Sequence, residues 1–189
     1  MKRITEQKVI PALSSMEEIE RFIEGPLEVC ILLSFPLAML ESTINLIHDN
    51  GKSVIIHLDL VRGIANDEAG CEYVIQRLKA DGIISTQSCI IETAKRNHCI
   101  AIQRLFLSDS KTLEKDIVKI NKADPDFIEV LPGLASEIFS FIQVRVRAKL
   151  LGGGLIKSDE QIYECLRDGA CAVTISSLSL AERFFRTHM

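Results

Sequence analysis

The chain has 189 residues, of which 47% are hydrophobic and 25% charged, and these fractions are typical of a globular protein with a full core. Lys and Arg number 22 against 26 Asp and Glu, so the net charge is −4. This balance excludes an overall basic field that would attract nucleic acid, and any RNA contact needs a local basic patch. We interpret residues 1–189 as one domain.

The cysteines and the N-terminus indicate the cellular compartment. Six cysteines lie apart in the sequence without a C-x-x-C pair: Cys30, Cys71, Cys89, Cys99, Cys165 and Cys171. This usage is typical of a reduced, cytoplasmic protein without structural zinc. Residues 1–7 lack the apolar core of a secretion signal, and no apolar run approaches the roughly 20 residues that span a bilayer. We therefore predict a soluble protein with no membrane partner and no metal.

Short apolar runs alternate with helical patterns along the chain. The predicted strands are 8–13, 29–33, 53–60, 81–86, 99–104, 126–131, the run before the glycines at 152–154, and 169–175. A helical pattern follows each strand, with predicted caps at Ser14 or Ser15, at Asn66 or Asp67, and at Asp109 or Ser110. Eight such units favour a (β/α)8 barrel over a doubly wound sheet. Because these barrels typically have about 250 residues, we expect a compact TIM-type barrel with one or two abbreviated helices.

The third strand sorts its side chains by parity. Val54, Ile56, Leu58 and Leu60 share an aliphatic face, which we expect to pack on helices, and Ile55, His57 and Asp59 share the other face. The polar side chains therefore point to the barrel interior or its mouth. A His and an Asp at this spacing can hold a metal. Because no further His or carboxylate motif accompanies them, a hydrogen-bonded histidine is the favoured interpretation.

Functional residues of this fold gather at the carboxyl ends of the strands. The polar residues at the predicted ends are Asp59, Ser85, Thr86, Gln103, Arg104 and Glu129. Three glycines, Gly152, Gly153 and Gly154, end the seventh strand, and Ser176 and Ser177 end the eighth. By themselves the glycines are also typical of a flexible turn. Backbone amides in front of a helix bind anions, and this fold often holds phosphate at these two loops, so we predict a phosphate site.

Glu129 lies within an apolar strand. A buried, unpaired carboxylate costs several kcal/mol, so Glu129 requires Arg104, a hydroxyl group or a ligand as its partner. Such a residue is structural, acts as a general base, or holds a ligand hydroxyl. No nucleophile elbow is present, so no catalytic nucleophile is predicted. The run with Arg145, Arg147 and Lys149 is by itself typical of a solvated edge.

Several motifs, in their order and spacing over residues 9–177, resemble the glycerol uptake operon antiterminator family. They are HLDLVRG at 57–63, DGIIST at 81–86, IQRLF at 102–106, DS at 109–110, PD at 125–126, IEVLPG at 128–133 and GGLI at 153–156. Each motif alone is weak, but the ordered set is specific. The resemblance implies a compact TIM-type barrel that senses glycerol 3-phosphate. When loaded, it binds the leader of a messenger RNA so that transcription of glycerol uptake or utilisation genes continues past a terminator.

The resemblance also implies residue roles. It implies a regulator rather than an enzyme, with an effector ligand and no cofactor. Gly153, Gly154 and Ser176 would hold the phosphate, whereas Asp59, Gln103, Arg104 and Glu129 would line the pocket for the glycerol part. The candidate RNA contacts are Arg62, Arg104, Arg145, Arg147 and Lys149, although an aromatic content of 5% gives no separate support for base stacking.

The chain departs from the family pattern at three places, and two other functions remain open. Gly152 stands where the family often has Ala, Ile175 stands where it has Thr or Ser, and no Trp occurs near the C-terminus. One alternative is an enzyme acting on a phosphorylated metabolite, with Glu129 or Asp59 as acid or base. The other is a metabolite sensor that acts through a protein partner. A homo-oligomer is compatible with all three.

Overall fold

The computed structural model describes residues 2–188, in which eight parallel strands close into a barrel. The strands follow one another around the barrel, and β1 pairs with β8 to complete it. They are β1 (Val9–Leu13), β2 (Val29–Leu32), β3 (Ser53–His57), β4 (Gly82–Ser85), β5 (Ile100–Phe106), β6 (Phe127–Leu131), β7 (Lys149–Gly153) and β8 (Ala170–Ile175). The predicted (β/α)8 fold is confirmed.

Helices connect the strands on the outside of the barrel. They are α1 (Lys2–Gln7), α2 (Met16–Glu24), α3 (Leu37–Asp49), α4 (Glu68–Glu72), α5 (Ser88–Arg96), α6 (Ser110–Ala123), α7 (Phe139–Gln143), α8 (Asp159–Arg167) and α9 (Leu178–His188). Two connections are abbreviated, as predicted: α4 continues only as a π-helical turn, Tyr73–Arg77, and α7 follows a 3-10 segment, Gly133–Ile138. Within residues 2–188 no helix is long and apolar enough to cross a membrane.

Side-chain caps define where three of the helices begin. Ser15 accepts a hydrogen bond from the amide of Glu18, and Asp67 accepts one from the amide of Gly70. Asp109 caps α6 in the same way. Such caps satisfy amides that have no partner within the helix. The three caps therefore place the first turns of these helices at the mouth of the barrel.

Alternation along the strands separates two apolar cores. The inner core fills the barrel with Ile10, Val29, Ile31, Ile55, Ile84, Ile102, Phe127, Leu151 and Ala172. The larger outer core lies between the strands and the helices and contains side chains such as Val54, Ile56 and Phe139. Successive strand residues face opposite cores, so parity decides whether a polar residue near a strand end reaches the barrel interior.

Helix α1 closes the end of the barrel opposite the mouth. Ile4 joins the inner core. The side-chain amide of Gln7 donates to the carbonyls of Val9 and Val29, and its oxygen accepts from the amides of Glu28 and Val29. The sequence did not predict this helix, because six residues are too short to display a helical period.

Strand β3 is shorter than predicted. It ends at His57, and Leu58–Leu60 form a 3-10 turn, so Leu60 is 40% exposed instead of packing on the helices. The prediction that Leu60 shares the packed face was therefore wrong. Asp59 accepts hydrogen bonds from Ser85 and Thr86 at the end of β4, and these bonds draw the chain away from the strand path.

Candidate functional site

A small cavity of about 130 Å³ opens at the mouth of the barrel, between the ends of β5 to β8 and those of β1 and β2. Arg104, Glu129, Gly154, Thr174 and Ser176 provide its polar and backbone lining, with apolar side chains on the remaining wall. The barrel thus brings together four of the predicted site residues, Arg104, Glu129, Gly154 and Ser176, in one cavity. Thr174 was not among them.

Arg104, Glu129 and Thr174 form a hydrogen-bonded cluster in this cavity. Arg104 lies directly opposite Glu129 in the pairing of β5 with β6, and its Nε lies 2.5 Å from Oε2 of Glu129. Oγ1 of Thr174 donates to Oε1 of Glu129 over 2.6 Å. The Glu129 side chain is 2% exposed, so these partners offset the cost of burying its charge. The prediction that Glu129 needs Arg104 or a hydroxyl group is confirmed by both.

The guanidinium of Arg104 is only partly used by this cluster. Nε is engaged with Glu129, while within residues 2–188 the two terminal amino groups have no hydrogen-bond partner. The side chain is 17% exposed and reaches the cavity. Planar guanidinium groups bind phosphate and hydroxyl oxygens through such N–H groups. Arg104 is therefore placed to hold Glu129 and an incoming ligand at the same time.

The three glycines have different positions. Gly152 faces the outer core, where a Cβ would lie 3.1 Å from Sγ of Cys165. Gly153 faces inward, and a Cβ there would lie 2.6 Å from Oγ1 of Thr174 and 2.9 Å from Oε1 of Glu129. Both belong to β7, so only Gly154 lies in the loop. Gly153 supports the cluster by having no side chain, and Gly154 carries the turn.

The loop after β7 has an unusual backbone. Gly154 and Leu155 both have positive φ, at 73° and 62°, and Leu155 is 64% exposed. A left-handed conformation costs a non-glycine residue roughly 1–2 kcal/mol, and such strain concentrates at binding sites. The loop after β6 packs against this loop. A Cβ added at Gly133 would lie only 2.7 Å from Cδ1 of Ile156, so the two loops are in close contact.

The sequence predicted that the helix directly behind the glycines would supply free amides, and the structure corrects this. Helix α8 starts only at Asp159, and four residues separate it from Gly154. The Gln161 amide in its first turn donates to Oγ of Ser158, and the Lys157 amide before the helix donates to the side-chain oxygen of Gln161. Helix α9 begins two residues after Ser176, which lines the cavity, and it is capped in the same way, because Oγ of Ser177 accepts from the Leu180 amide. Along the chain, α9 begins two residues after a cavity-lining residue, and α8 begins three residues after another, Ile156.

Asp59 and Gln103 lie at the rim instead of lining this cavity. Asp59 accepts from Oγ of Ser85 and from the amide and hydroxyl of Thr86. Nε2 of Gln103 donates to the carbonyls of Ser85 and Thr86. Gln103 precedes Arg104 on β5 and therefore points to the opposite face of the strand. These two residues tie the ends of β3, β4 and β5 together.

His57 is buried without a hydrogen-bond partner. Its side chain is 2% exposed, and neither ring nitrogen has a partner within residues 2–188. Burial lowers the pKa of His57, and the charge of Arg104 lowers it further, so both disfavour the protonated imidazole. The prediction of a hydrogen-bonded histidine was therefore wrong. Across residues 2–188 no group of three or more His, Cys, Asp and Glu side chains is arranged to hold a metal.

The basic residues predicted to contact RNA lie at opposite ends of the barrel. Arg62 follows β3 and is exposed near the mouth, and Arg104 lies in the mouth itself. Arg145, Arg147 and Lys149 are exposed before and at the start of β7, at the other end. The guanidinium of Arg145 stacks 3.5 Å above the ring of Phe141. These five residues do not form one continuous surface.

Comparison with known proteins identifies the family. The model of the glycerol-3-phosphate responsive antiterminator family matches residues 9–180. The chain belongs to this family. Antiterminators of known structure are similar over almost the whole barrel. The glycerol uptake operon antiterminator regulatory protein from Listeria monocytogenes is 35% identical, with a TM-score of 0.89, over 92% of this chain and 94% of that one.

Two further structures define how far the likeness extends. A glycerol uptake operon antiterminator-related protein from Thermotoga maritima is 29% identical, with a TM-score of 0.81, over 92% of this chain and 96% of that one. Deoxyribose phosphate aldolase from Aeropyrum pernix, at 12% identity and a TM-score of 0.72 over 100% of this chain and 94% of that one, shares only the fold. Antiterminator relatives thus support a regulator, as the motifs implied.

Proposed function

We propose that this protein is a glycerol 3-phosphate responsive antiterminator that binds the leader of a messenger RNA for glycerol uptake or utilisation in the cytoplasm. The observation that carries the proposal is the single cavity in which the loops after β7 and β8 meet the Arg104–Glu129–Thr174 cluster. One end of this cavity suits a phosphate group, and the other suits hydroxyl groups. Membership of the antiterminator family supports the same ligand.

The phosphate would lie against the backbone of the two loops. Gly154 has no side chain to block a close approach, and Ser176 offers an amide and a hydroxyl group. The Leu180 amide in the first turn of α9 donates to Oγ of Ser177, whereas the amides of Leu178 and Ser179 have no partner within the helix and carry its positive partial charge. Phosphate binding by such an arrangement of loops and a helix N-terminus recurs in this fold.

The glycerol part would face the charged cluster. Glu129 can accept from a hydroxyl group, since a carboxylate has more lone pairs than the two now used, and the terminal amino groups of Arg104 can donate. A cavity of about 130 Å³ is smaller than the several hundred Å³ typical of sites for drug-sized ligands. It therefore suits a three-carbon phosphate better than a nucleotide.

Ligand binding would be linked to RNA binding through the loops at the mouth. A ligand that contacts the loop after β7, the loop after β8 and Arg104 of β5 orders these three parts of the rim together. If RNA prefers the ordered rim, its affinity rises by the coupling free energy, typically about 1–3 kcal/mol. By linkage, RNA then raises the affinity for glycerol 3-phosphate by the same factor.

Calorimetric titration of glycerol 3-phosphate into Gly154→Ala tests the phosphate site, with Gly51→Ala as a matched control. Both glycines have φ near +72°, but a Cβ at Gly51 meets no atom within 4 Å, whereas one at Gly154 lies 3.2 Å from Cδ2 of Leu131 in the cavity wall. Both variants bear the same backbone strain. We expect lost affinity only in Gly154→Ala, and equal affinity in the two variants would place the phosphate elsewhere.

The two alternatives are separated by different measurements. An enzyme would need Glu129 or Asp59 as its acid or base, yet Glu129 is engaged by Arg104 and Thr174, and Asp59 by Ser85 and Thr86. Sustained turnover of glycerol 3-phosphate or a related phosphosugar would contradict a regulator. A sensor acting through a protein partner predicts no ligand-dependent RNA shift. A shift with a leader that carries a terminator hairpin, seen only with ligand, is the outcome expected of an antiterminator.

A further inference from the structure

Helix α6 presents a row of lysines on its solvent-exposed face. Its buried face packs on the barrel with Leu113, Ile117, Ile120 and Ala123. On the opposite face Lys111, Lys115 and Lys122 are exposed. At about 3.6 residues per turn, these three lysines fall within about 40° of one another around the helix and cover roughly 16 Å of its length. None of the contacts proposed above for glycerol 3-phosphate uses this lysine row.

The lysine row is a local basic surface on a chain whose net charge is −4. Lys119 lies beside the row and is held 2.9 Å from Asp116, and across residues 2–188 no other lysine of α6 forms an ion pair. Glu114 flanks the row on its other side. The carboxylate of Asp109 is engaged, since it accepts from the first amides of the helix. The three lysines are therefore available to neutralise the charges of an anionic partner.

Arg145 lies at the end of the row that is farther from the mouth. The side-chain amide of Asn121, in the last turn of α6, donates to the Arg145 carbonyl over 2.9 Å. The Arg145 guanidinium lies 3.5 Å from the centre of the Phe141 ring, and its Nη1 donates to the Phe141 carbonyl over 2.8 Å. The Arg145 side chain is exposed. The ring thus covers one side of a fixed guanidinium, and the other side is available for stacking.

The other end of the row is joined to the strands that carry the ligand cavity. Asp109 caps α6, and just before it the Leu107 amide donates to the Leu131 carbonyl over 2.8 Å. The start of α6 is thereby tied to the ends of β5 and β6, which carry Arg104 and Glu129. A ligand that orders these strand ends would also order the first lysine of the row, and this gives ligand and RNA a route for positive coupling.

We propose that the lysine row binds phosphate groups of the single-stranded leader RNA and that Arg145 stacks on one of its bases. This proposal rests on the proposed function and names the surface that its RNA would use. Lysines neutralise phosphate groups without reading sequence. Stacking on a guanidinium plane needs an unstacked base, which a single strand offers and a duplex does not. The surface therefore supplies affinity and selects a single strand, and it leaves the sequence to be read elsewhere.

Salt-dependent fluorescence anisotropy tests the lysine row, with a labelled leader RNA that carries a terminator hairpin and saturating glycerol 3-phosphate. The row variant combines Lys111→Gln, Lys115→Gln and Lys122→Gln. Each lost phosphate contact lowers the slope of log affinity against log salt by about 0.7, so the slope should fall by about 2 between about 50 and about 200 mM salt. The control variant removes three other exposed cations that have no ion-pair partner within residues 2–188, by Arg77→Gln, Lys79→Gln and Arg186→Gln. Both variants lose three positive charges, but the control should keep the slope of wild type.

Arg145→Lys tests the stacking contact separately, because it keeps the charge and removes the guanidinium plane. It should weaken RNA binding between about 5-fold and about 150-fold, the range that corresponds to one stacked base, and leave the salt slope unchanged. Arg186→Lys is the matched control and should bind like wild type. Equal affinity in these two variants would show that no base stacks on Arg145.

The outcomes separate this proposal from the proposed function. A row variant with the slope of wild type would overturn the RNA assignment, and an acidic protein would then be the partner that the lysines fit. An equal loss of slope in the control would also overturn it, because net charge alone would then explain the effect. In both cases ligand-dependent RNA binding by wild type leaves the antiterminator proposal standing. If wild type binds no RNA with ligand present, both proposals fail. Unchanged urea denaturation and unchanged calorimetric affinity for glycerol 3-phosphate show that each variant is folded.

Discussion

Gly153→Ala tests whether the Arg104–Glu129–Thr174 cluster belongs to the ligand site. The added Cβ would lie 2.6 Å from Oγ1 of Thr174, and ordinary contact begins at 3.4 Å, so the hydroxyl group must retreat by about 0.8 Å. Thr174 is held in β8 between paired strands, and this retreat breaks its 2.6 Å bond to Glu129. Gly153 does not have a positive φ, so the alanine adds no backbone strain.

The expected magnitude follows from the bonds that are disturbed. A hydrogen bond to a charged group contributes roughly 1.5–3 kcal/mol, so losing one and weakening the other should lower the free energy of unfolding by about 2–4 kcal/mol. Gly152→Ala is the matched control, because its Cβ faces Cys165 in the outer core. We expect overpacking to lower the free energy of unfolding of Gly152→Ala by about 1 kcal/mol, at the low end of measured values.

Urea denaturation and calorimetry with glycerol 3-phosphate measure the two effects separately. Gly153→Ala should lose about tenfold or more in affinity, equivalent to about 1.4 kcal/mol. Gly152→Ala should bind as wild type does. Equal affinity in the two variants would show that the cluster does not contact the ligand. Equal stability would show that β7 moves to accept the methyl group.

Two further predictions concern the rim and the closed end of the barrel. Burial alone would raise the pKa of Asp59, but hydrogen bonds from Ser85 and Thr86 outweigh it and hold the pKa below its ordinary 3.8. Asp59 therefore stabilises the fold above its unfolded pKa of about 3.9 and loses this contribution as pH falls through the lower folded value. The difference in free energy of unfolding between wild type and Asp59→Asn should be constant from pH 7 to about pH 5 and shrink below about pH 4; a difference that grows as the pH falls below 4 would contradict this. Gln7→Leu leaves the partners of a buried amide unpaired and should cost about 3 kcal/mol or more in urea denaturation. Its calorimetric affinity for glycerol 3-phosphate should stay unchanged, since α1 lies at the opposite end, and a parallel loss of affinity would refute that placement.

The departures from the family pattern are mild at the site. Ile175 was expected to remove a hydroxyl contact, but its buried side chain belongs to the outer core, although the residue borders the cavity. The neighbouring Thr174 supplies a hydroxyl group to Glu129 instead. Gly152 faces the outer core, where the alanine common in the family would meet Cys165 and Phe139. Neither change alters the backbone at Gly154 and Ser176.

Local patterns in the sequence predicted the order of the strands and helices and most of the chemistry of the mouth. Apolar runs, capping residues and parity each depend on neighbours within a few residues, so eight units could be predicted, and the caps at Asp67 and Asp109 could be predicted to within one residue. The same logic identified Arg104, Glu129, Gly154 and Ser176 at strand ends. It failed at Leu60, because β3 ends at His57, and Asp59 accepts hydrogen bonds from Ser85 and Thr86 at the end of β4.

Only the closed barrel decided which of these residues share a cavity. Closure fixes how far each strand is shifted along its neighbour, so it sets Arg104 opposite Glu129 and turns Gln103 to the outside. The same constraint brings Thr174 to Glu129. It also leaves His57 buried without a partner. These contacts join residues distant in the chain, and no local pattern contains them.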